Sequence, residues 1–354
     1  IISREGAMGS YYLHNQWYVA AHGFELADGK PVARTICDQT VVIFRGQDGG
    51  VGILSDRCPH RFAPLSCGEV NGNDIQCGYH GIRFDRDGVC THIPGDAPVP
   101  HDFRAKRFPA LERHGFIWIW MGEKAADPAL IPDYHENDDP GWAGVPGYLN
   151  IACNYQLMVD NLLDLTHVVF VHKTTLAGGG VTDTPLEVRV EGEKVLAQRM
   201  MINVDTAPIY RAARNLQGKI DRWQIFECLP PSHVKITLGA REAGASTPLG
   251  EPVHMVLNGI TPESATRTHY FWSTTRPWGL GDKKVDELYR SMIEVAFNED
   301  KGIVEAQQRL INQDPENAYF VNFPFDRAGQ SARRIVRRLM TEEGSASDGL
   351  AAAE

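Results

Sequence analysis

The chain has 354 residues and a formal net charge of −10 at neutral pH, and 43% of its residues are hydrophobic. This length corresponds to about two domains, and the acidic balance excludes the basic surface that nucleic-acid binding requires. The sequence has no apolar run of about eighteen residues for a membrane span and no signal pattern for secretion. Its seven cysteines, an odd number, suit a reducing compartment. We therefore expect a cytoplasmic globular protein that binds neither nucleic acid nor membranes.

Composition divides the chain into four segments. Residues 1–10 (IISREGAMGS) have the composition of a vector remnant and are set aside. Short β-like runs separated by Gly, Asp and Asn predict an all-β domain over residues 11–133. A polar, Pro-rich linker around residues 127–146 leads into a second domain over residues 134–342. Residues 343–354 are predicted to be a disordered tail.

Two loop segments of the first domain each contain one cysteine and one histidine. One residue separates Cys58 from His60, two separate Cys77 from His80, and sixteen lie between the pairs. Two thiolates and two imidazoles could hold a structural zinc ion or a 2Fe–2S cluster of the Rieske type. Structural zinc sites usually group like ligands, whereas each loop here supplies one of each kind. The pattern therefore favours the two-iron cluster.

A helical pattern over residues 154–167 carries polar side chains at a regular spacing. Asn161, Asp164 and His167 recur every three residues, so we expect them on one stripe of a helix. Burying this stripe among leucines is costly without a partner or a metal. His167 and His172 could begin a 2-His-1-carboxylate iron site. A pair of hydrogen-bonded histidines at a helix end is an equally good interpretation.

Alternating segments further along predict strands, and an amphipathic helix is predicted after them over about residues 285–310. The strand segments are residues 186–190, 234–238 and 269–273. The helix contains Glu294, Glu299 and Asp300. These residues alone do not decide which carboxylate would complete a metal site.

Together these motifs resemble those of the Rieske non-haem iron oxygenases. The pattern Cys-x-His-x16-Cys-x2-His matches their Rieske motif, and Asp-x2-His-x4-His, ending at His172, matches their mononuclear-iron motif. Segments 56–65, 153–167 and 221–233 are similar to the vanillate O-demethylases, with dicamba O-demethylase a more distant relative. The resemblance implies an α+β protein. An N-terminal all-β Rieske domain would precede a C-terminal α+β catalytic domain whose antiparallel sheet is flanked by helices.

The resemblance implies one metal centre in the first domain. Cys58 and Cys77 would bind one iron of the [2Fe–2S] cluster, and His60 and His80 would bind the other. Members of the family are typically homotrimers, so His80 would hydrogen-bond to Asp164 of a neighbouring subunit.

The resemblance also implies a mononuclear Fe(II) site in the second domain. His167, His172 and Asp300 would be its ligands. Asn161 and Asp164 are the candidate catalytic residues beside it, and the Asp164 carboxylate would support His167 while connecting the iron to the cluster.

The implied function is the oxygenase component of a two- or three-component monooxygenase. With O2 and electrons from NAD(P)H it would O-demethylate a methoxylated aromatic acid such as vanillate, releasing a phenol and formaldehyde. The sequence has no Gly-x-Gly-x-x-Gly nucleotide fingerprint after a strand, so a separate ferredoxin or flavin reductase would deliver the electrons. The alternatives are an N-demethylase or ring hydroxylase with the same metals and, from a different class, a zinc-binding module.

A small acidic aromatic substrate needs cations or histidines in its pocket, because the iron must keep positions open for dioxygen. Each such residue alone is more often a surface or structural residue. The candidates in the sheet and variable regions are Arg211, Arg214, His233, His254 and Arg267.

Overall fold

The computed structural model describes residues 12–95, 98–246, 248–315 and 321–351, so the predicted vector remnant lies outside the described residues. The chain forms two compact units. The first comprises His14–Ile131 and Thr261–Ser264, and the second consists mainly of Pro132–Ile260 and the residues from Ala265 onward. The main difference from the predicted domains is that residues 261–264 belong to the first unit, although the residues on either side of them belong to the second. This segment belongs to the first unit because the Cys37 amide donates to the Pro262 carbonyl at 2.8 Å.

The first unit is built from short antiparallel strands. They are β1 Gln16–His22, β2 Val32–Ile36, β3 Gln39–Arg45, β4 Val51–Ser55, β5 Glu69–Asn71, β6 Asp74–Gln76, β7 Arg83–Phe84, β8 Cys90–His92, β9 Arg107–Phe108, β10 Ala110–Arg113 and β11 Phe116–Met121. Three sheets result, with the orders β1-β11-β10, β2-β3-β4-β9 and β5-β6-β7-β8. Every residue of β11 is buried, so this strand lies in the core of the unit. Cys58 and Cys77 are part of the apolar core of this unit.

The second unit is a sheet with helices. Its elements are β12 Ala143–Ile151, α1 Tyr155–Leu163, α2 Val168–Val171, β13 Glu187–Glu191, β14 Lys194–Asp205, α3 Pro208–Arg214, β15 Lys219–Leu229, β16 His233–Glu242, β17 His254–Ser264, β18 Arg267–Arg276, α4 Lys283–Gln313 and α5 Arg327–Ala351. The seven-stranded sheet has the order β12-β18-β17-β16-β15-β14-β13. The three predicted strands lie within β13, β16 and β18 or extend one residue beyond them, and α4 includes the whole predicted amphipathic helix. Among the described residues, no helix combines the length and the apolarity needed to cross a bilayer.

The predicted single helix over residues 154–167 is wrong. α1 ends at Leu163, and Asp164 has extended backbone angles, φ −117° and ψ 94°. The Asp164 side chain accepts the Thr166 amide and so caps a separate 3-10 turn over Leu165–His167. Asn161, Asp164 and His167 are therefore not on one helical stripe.

The tail that was predicted to be disordered is mostly helical in the structure. α5 continues to Ala351, so residues 343–351 are helical, and residues 352–354 lie outside the described part. No proline interrupts the segment from residue 327 to residue 351. A helix that has already formed extends at little cost per residue, because only its first turn is expensive.

Candidate metal centres

The two Cys/His loops of the first unit share one backbone pattern. In each loop the backbone carbonyl of the cysteine accepts a hydrogen bond from the amide four residues later. The Phe62 amide donates to the Cys58 carbonyl at 2.8 Å, and the Gly81 amide donates to the Cys77 carbonyl at 3.0 Å. Phe62 and Gly81 both have left-handed backbone, with φ 60° and 72°. The pattern turns each chain sharply after its cysteine, so that the following histidine points out of the unit.

The four donor side chains of these loops differ in burial. Cys58 and Cys77 are 2% and 1% exposed, whereas His60 and His80 are exposed with ring centroids 4.7 Å apart. Burial raises the pKa of the Cys58 thiol, as does the neighbouring Cys77, while the His60 and Arg61 amides lower it. Two buried sulfurs and two adjacent outward imidazoles are the donor set that fits a Rieske cluster.

Glycines allow the two loops to approach closely. A Cβ atom at Gly68 would lie 1.9 Å from the Gln76 carbonyl oxygen, and one at Gly78 would lie 2.6 Å from the Cys67 oxygen. Such distances are far below contact, so only glycine fits at either position.

Three side chains converge in the second unit. His167 ends the 3-10 turn, His172 follows α2, and Asp300 lies on α4. Their ligand atoms all lie within 4.8 Å of one another. Asp300 Oδ1 is 3.3 Å from His167 Nε2 and 3.1 Å from His172 Nε2.

The second nitrogen of each imidazole is occupied by a protein acceptor. His172 Nδ1 lies 2.8 Å from Glu299 Oε2, and His167 Nδ1 contacts the backbone carbonyl of Asp164. Each Nδ1 therefore donates its proton to that acceptor, and both Nε2 atoms face the Asp300 carboxylate. This arrangement is typical of metal-binding histidines.

The charge state of Asp300 suits a cation. Burial raises the pKa of this carboxyl, but hydrogen bonds from His167 and His172 outweigh burial and lower it to about 2. Asn161 Nδ2 donates a further hydrogen bond to Asp300 Oδ1 at 3.1 Å. One carboxylate and two imidazoles form the 2-His-1-carboxylate set that binds Fe(II) with open positions. The residues present therefore fit the metal.

Asp164 contacts His167 in a different way from the prediction. Its carboxylate Oδ1 accepts the Thr166 amide at 2.8 Å, and its backbone carbonyl rather than its carboxylate supports His167. Both residues line a cleft of about 440 Å³. The cleft is also lined by three arginines of α5, namely Arg333, Arg334 and Arg337.

Four of the five candidate substrate residues lie in unsuitable positions. Arg211, Arg214 and Arg267 are exposed; the Arg214 guanidinium packs over Trp278 at 5.1 Å, and Arg267 donates to Asn150. His233 is buried, and it lies on β16 five residues before Leu238. Residues at an odd separation along a strand point to opposite faces of the sheet. Leu238 is the cross-strand partner of His254, so His233 and His254 lie on opposite faces.

His254 is the candidate that the structure favours. It is 1% exposed, and neither ring nitrogen has a hydrogen-bond partner among the described residues. Burial and the nearby Arg222 lower its pKa to about 3. The imidazole is therefore neutral near pH 7 and offers one donor and one acceptor.

Two functional candidates, Glu299 and Arg222, are not indicated by the sequence pattern. The pattern offers Glu299 only as an alternative ligand. Arg222 lies on β15 and is 3% exposed. Arg222 is two residues from Gln224 on the same strand, so both side chains point to the same sheet face. Gln224 pairs with Leu238 on β16, and Leu238 pairs with His254 on β17. Arg222 and His254 therefore share a sheet face. A charged residue within the buried run of β15 was the available signal.

Comparison with known proteins places this chain in one family. Residues 16–104 match the Rieske [2Fe-2S] domain, and residues 151–342 match the vanillate O-demethylase oxygenase C-terminal domain. The vanillate O-demethylase oxygenase subunit of a Pseudomonas species (strain HR199) is 38% identical over 94% of this chain and 96% of its own length. An iron-sulfur subunit of the toluene-4-sulfonate monooxygenase system of Comamonas testosteroni is 35% identical over 94% and 98%.

A solved structure supports the same assignment. Dicamba monooxygenase bound to 3,6-dichlorosalicylic acid superposes with a TM-score of 0.88 at 33% identity, covering 94% of this chain and 99% of that one. The chain therefore belongs to the Rieske non-haem iron oxygenases. It is a monooxygenase component related to the vanillate and dicamba O-demethylases, with a Rieske 2Fe–2S cluster and a mononuclear non-haem iron as cofactors. The family, the fold class and the cofactors predicted from the sequence are confirmed.

Proposed function

We propose that this oxygenase component O-demethylates a methoxylated aromatic acid such as vanillate. The proposal rests on one buried face of the seven-stranded sheet. Among the described residues, this face carries polar groups that have no hydrogen-bond partner, and it extends toward His167, His172 and Asp300. Arg199 donates to Gln224 Oε1 at 3.4 Å and to Thr166 Oγ1 at 3.1 Å. Gln224 lies on the same sheet face as Arg222, and Thr166 is the residue directly before His167 in the chain. This face supplies polar contacts for an aromatic acid beside the metal.

The metals would be held by the residues that the sequence motifs indicate. Cys58 and Cys77 would hold one iron of the cluster, and His60 and His80 would hold the other. When bound, the cluster supplies single electrons and the mononuclear iron activates dioxygen. The exposed imidazoles are the side of the cluster that another protein or subunit can reach.

His167, His172 and Asp300 would bind the mononuclear iron, and the surrounding residues fix their orientation. Glu299 and the Asp164 carbonyl hold the two rings with their Nε2 atoms inward, and Asn161 holds the carboxylate. An iron held by these three residues would keep positions open for dioxygen, as in other 2-His-1-carboxylate sites.

The overall reaction balances with one dioxygen, two electrons and two protons. One oxygen atom enters the methyl C–H bond of the substrate and the other leaves as water. The resulting hemiacetal breaks its methyl carbon–oxygen bond to give the phenol and formaldehyde. The sequence contains no nucleotide fingerprint, so a separate ferredoxin or flavin reductase would transfer electrons from NAD(P)H.

The assembly and location are parts of the same proposal. We propose a homotrimer in which Asp164 of one subunit meets His80 of the next, because Asp164 lines an open cleft and the His80 ring is exposed. We propose the cytoplasm as the location, because none of the seven cysteines forms a disulfide bond and the electrons would come from NAD(P)H.

Formaldehyde release tests the function. The purified red-brown protein, with a reductase, NADH and oxygen, should release formaldehyde and the matching phenol from one or more methoxybenzoates. Release of formaldehyde only from N-methyl compounds, or ring hydroxylation without formaldehyde, would replace the proposal by one of its two alternatives. A colourless protein containing zinc would refute it.

A further inference from the structure

Arg222 is a buried cation that the protein uses only in part. Its Nη2 donates to the Leu176 carbonyl at 3.3 Å, and its guanidinium lies 5.6 Å from the centre of the Tyr210 ring. Nε and Nη1 have no hydrogen-bond partner in the part of the chain that the structure describes. Burying such donors unpaired is costly, so the free protein holds a cation ready for a ligand.

The surroundings of Arg222 supply no counter-charge. No carboxylate of the described residues forms an ion pair with it, although most buried charges in proteins are paired. The ionisable groups on other elements that interact with it include Tyr210 on α3, His254 on β17 and a second buried cation, Arg199 on β14. His254 also has unused nitrogens, and it packs on Tyr289 of α4 with ring centroids 5.6 Å apart.

The backbone opposite Arg222 approaches the guanidinium so closely that only glycine fits there. A Cβ atom at Gly178 would lie 2.7 Å from Nη1, so a larger residue at this position would press on the free donor. The Tyr210 ring lies beside Arg222, and the Tyr289 ring lies beside His254. A cation, a neutral imidazole and aromatic walls together match a flat ring that carries one negative charge.

We propose that Arg222 binds the anionic group of the aromatic substrate, a carboxylate or a sulfonate, and thereby selects acids over neutral aromatics. His254 contributes a neutral hydrogen-bonding group beside it. This inference rests on the proposed function, because it assigns the acid-binding residue within that site. It replaces the exposed arginines predicted from the sequence by a buried one.

Binding of unreactive probes tests the inference without turnover. Dissociation constants of benzoate, benzenesulfonate and methyl benzoate are measured by calorimetry on the purified, metal-loaded enzyme. Wild-type enzyme should bind at least one anion about tenfold or more tightly than the neutral ester, because hydrogen bonds to charged groups are strong. The better of the two anions identifies the acid class.

Arg222→Met should remove that preference, whereas Arg189→Met should retain it. Arg189 is a matched arginine with a 69% exposed side chain that pairs with Glu191. The melting temperature of ligand-free Arg222→Met should equal or exceed that of the wild type, because the variant loses an unpaired buried charge. Arg222→Lys should keep part of the preference.

Three results would overturn the inference. The wild-type enzyme could bind the ester as tightly as both anions, or the Arg222→Met variant could keep the preference for anions. The third is a lower melting temperature of ligand-free Arg222→Met than of the wild type, which would show that Arg222 stabilises the fold. Because the binding measurement contains no reductase or NADH and so involves no turnover, failed demethylation would leave this binding result intact. Failed anion binding would likewise leave formaldehyde release untouched.

Discussion

Nδ1 of His172 and Oε2 of Glu299 lie 2.8 Å apart, while Nε2 of the same ring lies 3.1 Å from Oδ1 of Asp300. Two consecutive residues of α4 therefore contact the two nitrogens of one imidazole. Glu299 is 32% exposed at its side chain and Asp300 is 5% exposed. The more buried carboxylate is the candidate ligand, and the outer one fixes the tautomer and orientation of the ring.

Glu299→Ala should weaken Fe(II) binding by about 10- to 100-fold, the usual range for loss of a partner of a metal-bound histidine. Titration of the iron-depleted enzyme with Fe(II), followed by iron analysis, measures this. Glu294→Ala is the matched control, since Glu294 is an exposed carboxylate on the same helix. Equal iron affinity in both variants would show that Glu299 does not position His172.

His167→Ala and Asp300→Ala should each lose mononuclear iron and all demethylation, while the red-brown colour of the cluster is retained. One of three ligands is lost, whereas the candidate cluster ligands lie in another compact unit. Iron content per chain and visible absorbance report the two centres separately. A colourless variant would contradict the assignment of the two metals to separate units.

Asp164→Asn should keep both metals and a reducible cluster but lower turnover by more than about tenfold. Asparagine caps a helical turn as well as aspartate does, so the Thr166 contact is preserved and only the charge is lost. Single turnover of the pre-reduced variant, with substrate and oxygen, gives the measurement. Cluster oxidation at the wild-type rate would mean that the carboxylate only caps its turn.

His254→Asn should reduce the sensitivity of the protein to acid. The pKa of His254 is lowered to about 3 by burial and by Arg222, so between about pH 6.5 and 3 the unfolded chain binds a proton that the folded chain does not. This lowers wild-type stability as pH falls, by about 1.4 kcal/mol per pH unit. The facing groups, Arg222, Tyr210 and Tyr289, are of types that do not titrate there. Melting temperatures from pH 7 to 4 should diverge, and parallel curves would contradict the expectation.

Gly68→Ala should destroy the cluster site. The added methyl group would meet the Gln76 carbonyl at 1.9 Å, which forces apart the loops that carry the two cysteines. The variant should be colourless or should lose its colour at a much lower temperature. Gly302→Ala on α4 is the control, because open space surrounds that position and alanine favours a helix by about 1 kcal/mol over glycine. Normal colour in Gly68→Ala would show that the loops can separate without losing the cluster.

The sequence by itself determined the donor residues whose spacing is local. Cys58 with His60 and Cys77 with His80 lie in short turns, and His167 with His172 in one segment, so covalent chain length limits where each pair can lie. Strand and helix periodicity likewise predicted the all-β first unit, three strands of the second unit and its helix α4, since alternation and helical repeats depend on the adjacent residues.

Only the tertiary structure decided the partners that are distant along the chain. Glu294, Glu299 and Asp300 are equivalent as acidic residues of one helix, and it is the packing of α4 against His167 and His172 that distinguishes them. Arg222 has the pattern of an ordinary strand residue, and its unpaired burial depends on the loop at Leu176 and on the strands beside it. Asp164 continues the helical spacing, yet its own side chain ends the helix. Such contacts depend on long-range packing and burial, which residue spacing does not encode.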